Sequence, residues 1–260
     1  AIIDSKNATA FSPGYRRWAL FILIVVYTLN FLDRQIIGIL AVPIKADLNL
    51  SDTQLGLLGG LAFAAFYATL GIPIAWLADR KSRVWIMTIA LTLWSGMTAL
   101  CGLANNFTQL FLARLGVGVG EAGGVAPAYS LVTDYYSPEH RGKAMGAYSL
   151  GIPIGSAIGI LLGGFLATVV DWRFAFIFVG ILGILVAPIL RMTLKDPVRG
   201  QYDPVGAKTE PVPFMDVFRT LSKKPSFWFM SFGAASSSMM GYGLFFWLPS
   251  FFVRSYPEAL

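Results

Sequence analysis

The chain is nearly without thiol and imidazole groups, and it is poor in charge. A single cysteine, Cys101, excludes an intramolecular disulfide and any four-cysteine metal site. A single histidine, His140, leaves no two-histidine zinc motif and argues against an intramembrane metalloprotease. Charged residues make up only 13% of the 260, where soluble domains carry about 25%. What fills the space is apolar: 56% of the chain, including 20 Phe. So few polar residues cannot coat a water-facing surface, so lipid must be part of the solvent.

A bilayer core of ~30 Å takes about 20 apolar helical residues. Seven predicted spans meet that length, at 18–44, 53–78, 84–104, 107–134, 144–170, 173–192 and 226–252. All are too long for strands, and none alternates as an outer-membrane barrel would. The first span exceeds a signal-peptide core and lacks a small-residue cleavage site after it. The net charge of +6 does not require nucleic acid, because 15 of the 20 Lys/Arg fall in the 1–17 arm and the 79–83, 135–143 and 191–225 loops. Only Lys45, Arg173 and Arg254 lie opposite. By the positive-inside rule the N-terminus is cytoplasmic.

Six closely spaced spans precede a polar stretch, 193–225, with prolines at 197, 204, 211 and 213. Within it Phe214, Val217, Phe218 and Leu221 fall at i, i+3, i+4 and i+7, the pattern of a short amphipathic helix on a membrane surface. The expected organisation is an arm (1–17), a six-helix domain (18–192), a cytoplasmic linker (193–225) and a seventh helix (226–260) beginning a second domain, with the chain truncated there. The six spans carry signs of a 3+3 inverted repeat. Spans 1 and 4 both hold charges, and Asp79-Arg80 after span 2 matches Asp171-Trp172-Arg173 after span 5 on the opposite side.

Those charges are Asp33 and Arg34 in span 1, and Arg114 and Glu121 in span 4. Each costs ~2.5–3.5 kcal/mol near a helix centre, so the four must face a polar interior and compensate one another. Arg114 and Glu121 share a helix face with ~10 Å between them, leaving room for a third group, and Asp33 is the candidate. Buried ion pairs fixing helix register are one reading. The other is proton handling, since burial favours a protonated carboxylate and a nearby arginine opposes it. Glu121 is the expected carrier, because its neighbours are Gly and Ala and the nearest arginine of its own span is two turns away. Asp33 is the second choice or a coupled partner. Gly118-Val119-Gly120-Glu121-Ala122-Gly123 matches G-x-G-x-x-G, but without the βαβ context that a dinucleotide site needs. These glycines, and the four-residue repeat of Gly151, Gly155, Gly159 and Gly163, instead suit close helix approach, with Pro153 bending its helix. Sequons at Asn7, Asn49 and Asn106 are taken as chance.

The motifs resemble a known family. WLADRKSR (76–83) resembles the G-x-x-x-D-R-x-G-R-R loop of the major facilitator superfamily, with Asp79, Arg80 and Arg83 matching and Ala75, Ser82 and Val84 departing. LFLARLGVGVGEAGG and GIPIGSAIG resemble that family's span 4 and span 5 signatures. YTLNFLDRQ, YYSPEHRGKAMG and DWRFAF narrow the resemblance to the spinster branch. The resemblance implies an all-α major facilitator fold, alternating access, amphipathic lipid substrates such as lysophospholipids or sphingolipids, and proton coupling without a cofactor. It implies coupling or substrate roles for Asp33, Arg114 and Glu121, and a cytoplasmic gate at Asp79, Arg80 and Arg83. Arg34 and Arg114 suit an anionic head group, and Tyr27, Phe31, Phe63 and Phe66 an apolar cavity. The expected setting is a monomer in a bacterial inner membrane, with no metal and no nucleic acid. A drug or organic-anion antiporter is the alternative. A rhodopsin lacks its Schiff-base lysine here, and an enzyme lacks its motifs.

Overall fold

The computed structural model describes residues 11–202 and 214–256, and these form helices without strands. They fall into two units, 1–202 and 203–260.

In the first unit, span 1 is α1 (Pro13–Ile39) continued after Leu40 by α2 (Ala41–Asp47). Ser12 caps α1 and Pro13 sits at its start, where a missing N–H costs nothing. The helix thus begins five residues before the predicted span. Asn49, in the left-handed region at φ 50°, turns the chain into a Ser51 capping box. Span 2 is α3 (Asp52–Gly56), a π-helical stretch (Leu57–Leu61) and α4 (Ala62–Ala78). Span 3 is α5 (Arg83–Cys101), capped by Ser82.

Span 4 is interrupted. Its first part, α6 (Phe107–Glu121), ends at the acidic residue itself, and α7 (Val125–Tyr135) resumes after Ala122–Gly124. Span 5 is α8 (Pro138–Ser149) and α9 (Gly151–Val169), parted at Leu150. Pro153 lies within the first turn of α9, and its ring crowds the carbonyl four residues earlier, so the interruption falls just ahead of it. Span 6 is α10 (Trp172–Thr193).

Among the described residues five helices are long and apolar enough to cross a membrane: Pro13–Ile39, Asp52–Ala78, Arg83–Cys101, Pro138–Leu166 and Trp172–Thr193. Span 4 falls outside that set because its break leaves two shorter pieces. In the second unit the predicted amphipathic helix is α11 (Phe214–Ser222), with Met215, Val217, Phe218 and Leu221 exposed. The stretch predicted as a seventh span forms α12 (Pro225–Ser255), which is not among the helices apolar enough to cross a membrane, its serine-rich centre at 236–238 diluting its hydropathy. The Trp228 indole donates to the Ser222 carbonyl at 2.9 Å, tying the two helices together.

Pairing within the six-span unit follows the inverted repeat: α1 packs on α9 as α6 packs on α4, and α5 packs on α10. The glycines expected to allow close helix approach line α9 where it meets α1. A Cβ at Gly155 would collide with the Thr28 carbonyl, and one at Gly159 would stand 2.9 Å from the Leu32 carbonyl. Gly146 on α8 has open space instead. Gly155→Val should therefore destabilise the protein by about 1–3 kcal/mol, whereas Gly146→Ala should be neutral or slightly stabilising. Thermal unfolding of the purified protein distinguishes the two.

Candidate functional site

The four intramembrane charges pair reciprocally between spans 1 and 4. Asp33 and Arg34 are consecutive on α1, so they project about 100° apart. Arg34 Nε donates to Glu121 Oε2 at 2.8 Å, and Arg114 Nη1 approaches Asp33 Oδ1 at 3.5 Å. Asp33, Arg114 and Glu121 are each at most 2% exposed. The expectation of Asp33 lying between Arg114 and Glu121 is met on one side only. Asp33 takes Arg114, while Glu121 takes an arginine from the other helix, which spacing along span 4 alone cannot reveal. One oxygen of Glu121, Oε1, and the Nε of Arg114 are buried without a hydrogen-bond partner among the described residues. The site is therefore incompletely satisfied at Glu121 and Arg114.

Aromatic rings complete it. The Arg34 guanidinium lies 5.2, 4.9 and 4.6 Å from the rings of Phe31, Phe63 and Tyr67, a three-sided cation–π enclosure. Phe63 also faces Arg114 at 5.7 Å. Tyr27 stacks on Tyr148 at 4.4 Å and meets Phe31 edge-on. Of the four aromatics chosen from sequence, Phe66 alone makes none of these contacts, and it is 40% exposed.

Two contributors escape the sequence reading. Thr98 on α5 donates its hydroxyl to Asp33 Oδ2 at 2.6 Å. It belongs to a polar stripe, Thr88, Thr92, Ser95 and Thr98, at helical spacing in an otherwise apolar span, which is the signal that could have found it. Tyr67 stands one turn from Phe63 and stacks on it at 5.3 Å. The break in span 4 sits directly beside this site. A Cβ at Gly120 would lie 2.6 Å from the Trp94 backbone nitrogen, so α5 presses on span 4 where Glu121 ends α6.

The predicted gate residues separate. Arg83, the first residue of α5, is fully buried with every guanidinium nitrogen engaged. Its Nε donates to Asp196 Oδ1 at 2.8 Å, Nη1 to Ser130 Oγ at 2.8 Å and to the Asp134 carboxylate, and Nη2 to the Pro197 carbonyl at 2.7 Å. Its backbone N–H donates to Asp196 Oδ2 at 2.6 Å, placing an anion at a helix N-terminus. Asp134 also accepts the Gly200 N–H at 3.1 Å. Asp79 and Arg80 are exposed, and Arg80 folds back over its own helix, 3.9 Å from the Trp76 ring. Asp134 and Asp196 were missed because loop charge was weighed by its basic residues, although acids at span ends are scarce enough to notice.

No group of His, Cys, Asp and Glu among the described residues can hold a metal ion. The helical membrane unit with its buried ion pairs has the architecture of a transporter half. A model described as "Major Facilitator Superfamily" matches residues 23–257, and the chain belongs to that family of membrane transporters, within its spinster-like branch. It is 36% identical over 98% of its length to an MFS-type efflux pump of Mycolicibacterium smegmatis, and 30% identical over 96% to protein spinster of Drosophila melanogaster. It spans 58% and 41% of those two relatives, about half the length of the relatives it matches. Among solved structures it resembles a bacterial homologue of the human lysosomal transporter spinster in an inward-facing, unoccupied conformation (TM-score 0.83, 42% identity, 94% of this chain and 57% of that one). The occupied form of the same description aligns at TM-score 0.81 and 41% identity over 95% of this chain and 56% of that one.

Removing one partner of a buried pair costs about 3–5 kcal/mol, whereas an exposed surface substitution stays within ~0.5 kcal/mol. Arg83→Gln should therefore lower the unfolding midpoint far more than Arg80→Gln in the same purified transporter. Equal effects would contradict the placement.

Proposed function

We propose that the chain supplies the proton-handling half of a secondary transporter that moves amphipathic lipids of the lysophospholipid or sphingolipid type by alternating access. The observation that carries this reading is the Arg34–Glu121 pair, buried between two helices with one carboxylate oxygen unpartnered. Protonating Glu121 removes its charge and releases Arg34 from the ion pair, while Phe31, Phe63 and Tyr67 continue to hold the guanidinium in place. Arg34 then presents donors to an anionic head group. Asp33, held by Thr98 and approached by Arg114, is the coupled second carboxylate. Protons are the coupling ion, and no cofactor takes part. The end of the unit rich in Lys and Arg, where α1 starts, faces the cytoplasm of a bacterial inner membrane. The transporter works as a monomer in contact with membrane lipids, completed by its second half, and Asp79, Arg80 and Arg83 serve the cytoplasmic gate.

A second reading has support of its own. The relative from M. smegmatis is named an efflux pump, and a 27% identical Escherichia coli protein is named a probable L-galactonate transporter. A drug or organic-anion antiporter would use the same ion pairs with a smaller ligand.

The test is uptake into proteoliposomes of the full-length transporter under an imposed pH gradient. Lysophospholipid accumulation should follow the gradient and fall by roughly tenfold or more in Glu121→Gln, a floor below the ~10²–10⁴-fold typical of losing a proton-transferring group. Uptake that ignores the gradient and the substitution contradicts proton coupling. Movement of small organic anions or drugs alone favours the second reading.

A further inference from the structure

Arg173, on the first turn of α10, is used by neither the candidate site nor the proposed transport cycle. Its Nη1 donates to Asp47 Oδ2 at 2.6 Å, and its Nη2 to the Ala104 carbonyl at 3.2 Å. Its guanidinium lies 4.3 Å from the Trp172 ring. A Cβ at Gly102 would run into the Arg173 carbonyl, so the end of α5 and the start of α10 are in backbone contact here.

The same construction exists at the opposite end of the unit, around Arg83. Arg83 starts the third span of the first repeat. It binds a carboxylate at the end of the first span of the second repeat, Asp134, and a carbonyl just past the third span of that repeat, Pro197. Exchanging the repeats gives the start of span 6, a carboxylate at the end of span 1 and a carbonyl just past span 3. Those are Arg173, Asp47 and Ala104. The arginine and these two partners exchange together, whereas Asp196 and Ser130, which also bind Arg83, have no counterpart at Arg173. The shared chemistry is a guanidinium joining a span-end carboxylate to a carbonyl past a helix end, where acceptors lack intrahelical partners. The sequence repeat is therefore better read as Arg83 matching Arg173, to within one residue of the helix start, than as Arg80 matching Arg173.

We infer that Arg173, Asp47 and the Ala104 carbonyl form a clamp that is the repeat-related counterpart of the Arg83 cluster and closes the other end of the six-span unit. The two clamps differ in wetness. The Arg83 side chain is fully buried, whereas the Arg173 and Asp47 side chains are 28% and 45% exposed. Water reaches both members of the second pair, but at the first it reaches only the carboxylates and not Arg83, so the Arg173 clamp is the more readily released.

Cys101 is a built-in reporter of this clamp. It is the last residue of α5, three residues before Ala104, and it is fully buried. In the full-length transporter in membranes, the rate at which N-ethylmaleimide labels the Cys101 peptide, read by mass spectrometry, measures how often this end opens. Asp47→Asn should raise the rate by up to about fivefold, and Arg173→Gln, which also loses the carbonyl contact, by roughly tenfold. Asp52→Asn, which removes the neighbouring Lys45 pair, should leave it unchanged. If Arg173→Gln fails to accumulate, Asp47→Asn alone decides. Labelling that stays within about 1.5-fold in the variants, or rises equally in Asp52→Asn, overturns the inference. The readout does not depend on transport, so its failure leaves the transport reading standing.

Discussion

Four charges inside an apolar bundle have to be compensated, and the way spans 1 and 4 do so constrains much of the unit. Any one of them alone near a helix centre opposes insertion. Adjacent residues on α1 project in different directions, which lets Asp33 take Arg114 while Arg34 takes Glu121. This crossed arrangement binds α1 to α6 at two points. Buried pairs of this kind contribute little net stability compared with an apolar core of the same shape. Their retention makes better sense if the charges do something.

The packing around the pairs is arranged to keep them close. Glycines on α9 let α1 approach until backbone meets side-chain position, and Gly120 brings α5 against span 4 beside Glu121. The helix then breaks at Ala122–Gly124, so the acidic residue stands at a helix end rather than in a continuous rod. At both ends of the unit a guanidinium fastens three chain segments together, dry at one end and partly wetted at the other.

Much of this was legible in the sequence, because hydropathy, basic-residue placement and glycine spacing are local signals. The six helical stretches, the α11 helix and the glycine face of α9 follow from them directly, although the partner of that face, α1, does not. The pairing of Arg34 with Glu121 was not legible, because spacing within one helix says nothing about which face of a neighbour meets it. The break in span 4 was hidden for a related reason: its glycines read as a packing surface, and a continuous apolar run carries no mark of where a helix stops. Asp134 and Asp196 become partners of Arg83 only when distant span ends are brought together, whereas Asp79 and Arg80 matched a motif yet stay exposed within this unit.

The most direct measurement of the crossed pairing is a set of double-mutant cycles on the full-length transporter, using unfolding free energies for Arg34→Gln, Glu121→Gln, Arg114→Gln and Asp33→Asn. Coupling of about 1–3 kcal/mol is expected for Arg34 with Glu121 and for Arg114 with Asp33. Arg114 with Glu121, two turns apart on one span, should couple by less than ~0.5 kcal/mol. Coupling between Arg114 and Glu121 as large as that between Arg34 and Glu121 would contradict the account.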